Sequence, residues 1–488
     1  MLNLPLYDED IFGNDAGEDE TPEVLSSYFL NKSAFNRFFD KNKILSIVRS
    51  RKGMGKSSML SKMAYDISTE DERAIVIKVT GSDLISFGSF EKTDNQILQN
   101  EWKKAISARI NLEIGSRLGF AWTDQQMAMV EAAEITGYKG RNIVTSLINR
   151  IRLKKLPVEF NVPNAAARQD ALLERFQSEN PESKVWIFVD DIDSTFSASE
   201  IEKARVASFF SACRSLTRDV EGLFIRASVR SDVWTSIRAN EDLDKCEQYV
   251  TDISWSRTEL DKIICNKILS YIKRRHPKHQ SAQLSIETQR PAIIEHVFVR
   301  RMRWNKSSVQ PFQPIRILGA RRPRWMSQLC KLSAAAADNR SVSRTTLQDI
   351  NFVMRNYGRL RVDDIYKEHS HQFSHLQRLI ETFANGEHKY TTEELVLKLE
   401  ASFSPKFTPS AMGKVDGLEY KSSLQLAQLL FKIGFILNRV IPAPGSPPVF
   451  IDFQERPELL DDASGSYDGM IWEIHPAYRG VLSIRTQD

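Results

Sequence analysis

An α/β fold built on a parallel sheet, followed by a helical region and a small mixed domain, is what this sequence predicts, on three observations. Short β-branched runs alternate with amphipathic helical stretches as far as Trp255. Beyond Trp255 the strand-like runs stop and helical periodicity takes over. The end of the chain puts helices first and strand-like segments after them, around a loop rich in Pro, Gly and Ser. At 488 residues and roughly 150 residues per domain, about three domains fit this division.

The first residues carry Asp8, Glu9, Asp10, Asp15, Glu18, Asp19 and Glu20, the opposite of an export signal's basic and then apolar start. Residues 1–24 are therefore expected to form an acidic, flexible leader. Lys43 to Arg49 (KILSIVR) reads as a strand and Ser50 to Gly55 as a loop, with a helix through Met59, Leu60, Met63 and Ala64 after it. Ala74 to Thr80 is a second strand, so the two form a parallel βαβ unit. From Asp94, an expected N-cap, Leu98, Trp102, Ala105, Ile106 and Ile110 repeat at helical spacing, and helices dominate to about residue 180 as an insertion. Lys184 to Val189 (KVWIFV) is continuous and apolar, as in a strand buried on both faces. A helix capped by Ser199 and a strand over Gly222 to Val229 complete the alternation.

The expected division is an α/β domain over 25–256 with its insertion at about 90–180, a helical lid over 257–376, and a winged-helix-like domain over 377–488. Thr391 to Ser402 and Ser422 to Ile433 supply the terminal helices, and Val449 to Phe453 and Met470 to Ile474 the strands. A composition of 41% hydrophobic and 27% charged residues excludes a largely disordered chain. No apolar run approaches the ~20 residues a membrane span needs. Cys213, Cys246, Cys265 and Cys330 match neither a zinc pattern nor a disulfide framework and read as reduced thiols of a cytoplasmic protein.

The chemistry concentrates in Ser50-Arg51-Lys52-Gly53-Met54-Gly55-Lys56-Ser57. A phosphate-binding loop needs small residues that let backbone N–H groups turn inward, a lysine that reaches the terminal phosphates, and a hydroxyl for Mg²⁺. Gly53, Gly55, Lys56 and Ser57 supply these, with Ser58 beside them, and the helix that follows adds its N-terminal dipole. Ser50 stands where the pattern has Gly, so a positive φ there would be strained. The second signal is the strand Val185 to Val189 running into Asp190-Asp191-Ile192-Asp193. Asp190 is expected to hold Mg²⁺, directly or through water, and Asp191 to activate a water. Asp193 is left between capping and bracing the next turn.

These motifs resemble the P-loop NTPases of the AAA+ and STAND group, whose strand ends in Asp-Asp. The resemblance implies ATP and Mg²⁺ as ligands, slow hydrolysis, and a P-loop parallel sheet with a helical lid. Phe224-Ile225-Arg226-Ala227-Ser228-Val229-Arg230 looks like the STAND sensor-1 strand, which makes Arg230 a γ-phosphate sensor. Leu318-Gly319-Ala320-Arg321-Arg322-Pro323-Arg324 is similar to the lid element that reaches back over the nucleotide, with Arg322 and Arg324 as sensor-2 candidates. In outline the chain resembles bacterial P-loop ATPases of mobile and phage-defence loci, through Arg51 to Ser57, Asp190 to Asp193, Arg230-Ser231-Asp232, Arg322-Pro323-Arg324 and His475-Pro476, in that order. This implies an ATPase switch that controls an effector encoded nearby, with a homo-oligomer among its expected partners. ATP is preferred to GTP because no Asn-Lys-x-Asp follows the acid pair.

Two further readings stay open. Between Lys262 and Lys331 sixteen Lys and Arg face two acids, a local charge of about +14. Lys273-Arg274-Arg275, Arg300-Arg301-Met302-Arg303-Trp304 and Arg321 to Arg324 fit a nucleic-acid backbone, as in a loader similar to origin-recognition ATPases. They equally fit ATP, an acidic neighbour or the acidic leader. The changed Ser50 also admits a scaffold that binds nucleotide without hydrolysing it. Arg205, Arg214 and Arg218 include candidates for a finger acting in trans, with no choice among them. His369, His371 and His375 are expected on a solvated helix face, and His475 at a structural turn.

Overall fold

The computed structural model describes residues 2–117, 129, 169–238, 241–304, 307–443, 448–460 and 469–485. The chain divides into two compact units, residues 31–254, and residues 1–30 together with 255–488. Most of the expected insertion lies outside the described residues.

In the first unit, β1 (Leu45–Ser50) leads into α1 (Lys56–Glu70) and β2 (Ile75–Thr80). Then come α2 (Asn95–Arg117), α3 (Gln169–Glu179), β3 (Val185–Asp190), α4 (Glu200–Asp219), β4 (Leu223–Arg230), α5 (Ser231–Ile237) and β5 (Val250–Asp252). The five strands pair in parallel in the order β2-β3-β4-β1-β5. Central β3 and β4 are buried along nearly their whole length, which is why their sequences do not alternate. Trp102 of α2 is fully buried, lies 4.2 Å from the Phe90 ring, and donates its indole N–H to the Arg205 carbonyl at 2.8 Å, fastening α2 to α4. Arg226, fully buried on β4, lies over Trp186 and donates to the Phe38 and Asp40 carbonyls. Burial pushes its guanidinium down to about 9.

The second unit contains α6 (Arg257–Arg275), the ribbon β6 (Met302–Trp304) and β7 (Ser307–Val309), and α7 (Pro323–Asn339), α8 (Leu347–His369) and α9 (Leu376–Glu381). It ends with β8 (Lys389–Thr391), α10 (Thr392–Ser402), α11 (Ser423–Lys432), β9 (Ile436–Val440), β10 (Val449–Ile451) and β11 (Ile471–Ile474). The last four-stranded sheet is antiparallel, in the order β10-β9-β11-β8.

Two expectations are corrected here. The acidic leader is folded: Leu4, Leu6, Ile11 and Phe12 are buried in the core shared with α6, α7 and α8. Its acids meet the basic helices, with Asp8 accepting from Tyr271 at 2.6 Å and Asp15 lying 3.1 Å from Lys331. Composition hid this because the apolar residues are scattered among the acids. The boundary at 376/377 also does not separate compact units. One apolar core runs through both sides of it, and a Cβ at Gly358 of α8 would fall 2.6 Å from the Ala477 carbonyl.

No helix among the described residues is long and apolar enough to cross a membrane. The four cysteines are buried and form no disulfide with one another.

Candidate nucleotide site

The ends of β1, β3 and β4 bring the motifs to one edge of the parallel sheet. Ser50 is the last residue of β1 and lies opposite Arg230, the last of β4, while Thr80 lies opposite Asp190. Ser50 is extended, buried and not among the residues with positive φ, so the departure from glycine carries no backbone strain. The unusual conformations fall on the glycines, with φ +78° at Gly53 and +106° at Gly55. Gly55 is the N-cap of α1 and contributes no side chain to it. The first N–H groups of α1 are thus left without a side-chain cap, which suits an anion. Lys56 is buried at 8% exposure, and its ammonium donates to the Ser50 and Arg51 carbonyls at 3.3 and 3.5 Å. Met54 is buried, whereas Arg51, Lys52, Ser57 and Ser58 are partly exposed along the loop and first turn.

Across from the loop, the carboxylates are held by β4. The fully buried Ser228 hydroxyl hydrogen-bonds to Asp190 Oδ1. The same carboxylate oxygen accepts from the Asp191 N–H at 3.0 Å. Asp191 is exposed and left-handed, at φ 52°, a conformation that Asp tolerates better than most residues. The turn is closely approached by Gly81, where a Cβ would fall 2.4 Å from the Ile192 Cα.

Asp193, 1% exposed, accepts from the Arg230 backbone N–H at 2.5 Å, so it braces β4. Burial pushes its carboxyl upward, against the opposing pull of Lys56 and Arg230. The Arg230 guanidinium pairs with Asp232, its Nε donating to Oδ1 at 3.2 Å. Asp232 belongs to the Arg230-Ser231-Asp232 motif, whereas nothing in the sequence pattern marks Ser228 as a partner of Asp190. In position, Ser228 stands two residues before Arg230 and Asp232 two after it.

Arg322 and Arg324 belong to the other unit. Arg322, 4% exposed, donates to Glu368 at 2.6 Å and lies over the Trp325 ring. Arg324 donates to the Asp15 carbonyl at 2.9 Å. The basic stretch is likewise less basic in space than in sequence. Lys262, Arg275, Arg300, Arg316, Arg321, Arg322 and Lys331 all have carboxylate neighbours.

The histidines are corrected. His369 is buried at 4% exposure and His375 is the N-cap of α9, 4.4 Å from the Phe407 ring, so the three share no solvated helix face. His475 is buried and its Nδ1 accepts from the Ala477 N–H at 3.2 Å, a turn cap. Among the described residues no cluster of three or more His, Cys, Asp or Glu could hold a metal ion.

Strand order, loop and acid-tipped β3 together define a P-loop α/β fold. No family model and no curated protein sequence matches the chain. Among solved structures, the Aeropyrum pernix ORC2 protein (ADPNP–ADP complexes) is 10% identical with a TM-score of 0.41, over 94% of this chain and 91% of that one. The Aeropyrum pernix ORC1 protein in complex with DNA is 11% identical with a TM-score of 0.36, over 95% and 96%. Drosophila ORC bound to DNA is 11% identical with a TM-score of 0.31, over 95% and 90%. Likenesses this loose carry no argument about what the chain binds or does.

Proposed function

We propose that the chain is an ATP-binding switch that hydrolyses ATP slowly and passes its state to a partner protein. The observation that carries this reading is the joining of loop, acid pair and sensor strand at one sheet edge, through Ser228 to Asp190 and through Arg230 N–H to Asp193. The donor set fits a magnesium triphosphate: glycines with positive φ, an uncapped helix start, one buried lysine, one hydroxyl and a carboxylate held in place. Loop residues 50–58 would hold the phosphates, and Ser57 and Asp190 the Mg²⁺, which when bound offsets charge on the phosphate oxygens.

Lys56 exchanges two loop carbonyls for phosphate oxygens, so its ammonium stays solvated by oxygen throughout. Asp191 orients a water and takes its proton, and its exposed, left-handed position leaves the carboxylate open to solvent. Arg230 reports the phosphate state by leaving or keeping Asp232. Arg322 and Arg324 serve the nucleotide only if their bonds to Glu368 and the Asp15 carbonyl open. The terminal domain, read as winged-helix-like from helices followed by a hairpin, shares a core with the lid and would move with it. The order of short motifs supports the narrower reading, control of an effector in antiphage defence.

Calorimetric titration with ATP and Mg²⁺, followed by single-turnover hydrolysis, tests this. Wild type should bind and hydrolyse, Lys56→Ala should lose binding, and Asp191→Asn should bind but not hydrolyse. An Asp191→Asn rate equal to wild type would remove Asp191 from the mechanism, and absence of binding to the folded wild type would end the reading.

A second reading, nucleic-acid binding, is favoured by one observation: Arg300, Arg301 and Arg303 are exposed on and beside the β6–β7 ribbon, with half-buried Trp304. Affinity for duplex DNA that falls steeply with salt and with Arg303→Gln would support it.

A further inference from the structure

The arginines of α4 remain outside the nucleotide reading, and their surroundings point elsewhere. α4 begins just past the acid tip of β3 and is followed directly by the start of β4, so it runs away from the loop edge toward the opposite edge of the sheet. Its segment Ser211–Asp219 lies 12 to 20 residues beyond the Ser199 cap, roughly 18–30 Å along the axis. That is a different place from the phosphate loop.

Here Arg214 and Arg218 of α4 and Lys245, in the segment before β5, line a cavity of about 110 Å³ together with Gln99 of α2, Ser211 and Ser215. One carboxylate, Asp219, also lines it, but it already accepts from Lys103 Nζ and from the Ser215 hydroxyl, each at 3.0 Å. Although partial burial opposes it, these bonds hold the Asp219 carboxyl below its usual range. The cavity therefore keeps an excess of positive charge. Two polar atoms of residues that line it, Arg214 Nε and Ser211 Oγ, are buried without a hydrogen-bond partner among the described residues.

Buried polar groups are normally satisfied, and an exception calls for a cause. Cations near a helix C-terminus do offset its partial negative charge. That effect accounts for an exposed arginine, but not for a buried guanidinium N–H aimed at no acceptor.

We propose that this cavity is a binding site for a phosphate ion. Two guanidinium groups and an ammonium offer donors in number and charge for a tetrahedral dianion. Among the described residues no aromatic ring lines it to stack on a base. The site does not depend on the nucleotide reading.

The test is calorimetric titration of inorganic phosphate at constant ionic strength into the full-length chain carrying Lys56→Ala, which removes the phosphate-loop contribution. One saturable site is expected. Lys245→Gln and Arg218→Gln, both changes at exposed positions, should each weaken that site at least tenfold. In the otherwise wild-type chain Lys245→Gln should leave ATP binding unchanged. No saturable phosphate binding in Lys56→Ala, equal affinity in both cavity variants, or the same heats with chloride would each overturn the proposal. Absence of ATP binding to the wild-type chain would count against the nucleotide reading and not against this site, whereas its loss in folded Lys245→Gln would overturn the separation of the two sites.

Discussion

Charged groups are buried in both compact units, but they are arranged to different ends. At the loop edge of the sheet, Asp190 and Asp193 are each held by a neighbour on β4, while Asp191 beside them is left exposed. In the other unit, Arg322 and Glu368 sit against each other at 2.6 Å, at 4% and 1% exposure. The first arrangement positions chemistry at an open edge. The second ties the start of α7 to the end of α8 from within one unit. Both come from short charged motifs, so motif content alone does not separate a reaction site from an internal tie.

The sharpest way to break this contrast is to remove the tie. Glu368→Ala leaves a buried guanidinium without its carboxylate, a change that typically costs roughly 3–5 kcal/mol. Chemical denaturation should show a loss of that order, with ATP affinity unaltered in protein that remains folded. Lost affinity at unchanged stability would instead assign Arg322 to the nucleotide.

Asp190→Ala is the counterpart at the sheet edge. Removing a group that acts on transition-state charge lowers rates on the order of 100-fold, and single-turnover hydrolysis should fall by that much. Stability should change little, because no buried partner charge is stranded. Ser228→Ala comes next. The hydroxyl orients Asp190 without reaching the reacting atoms, so its loss should slow hydrolysis roughly tenfold, the worth of one hydrogen bond to a charged group. Ser228→Thr, which keeps the hydroxyl, should restore part of that rate if positioning is the role.

Much of this edge was legible in the sequence because its motifs are contiguous and sit at strand ends. Gly53 to Ser57 and Asp190 to Asp193 fall where the strand pattern places them. The partners of those residues come from elsewhere in the chain, as Ser228 does for Asp190, and no local pattern pairs them. The leader misled for a related reason. Its acids read as solvated charge, but they face Tyr271, Arg275 and Lys331, far away in sequence. The same acids remove part of the apparent excess of +14 between Lys262 and Lys331, which was a sum along the chain and not over a surface.

The smallest expected effect is a pH dependence confined to the second unit. Burial pushes His475 down to about 3, with Arg479 adding repulsion, while the unfolded chain keeps the ordinary 6.5. Between those values the unfolded state binds the extra proton, so the contribution of His475 is complete above pH 6.5 and is lost as the pH falls toward 3. The slope can reach at most about 1.4 kcal/mol per pH unit. His475→Asn keeps a cap acceptor for the Ala477 N–H but cannot titrate. It should be less stable at pH 7, through lost contact with Tyr478, yet flatter between pH 6.5 and 5 when both proteins are unfolded by urea. Equal slopes would mean that His475 is protonated in the fold, and that the ring is not sealed from water as its 2% exposure indicates.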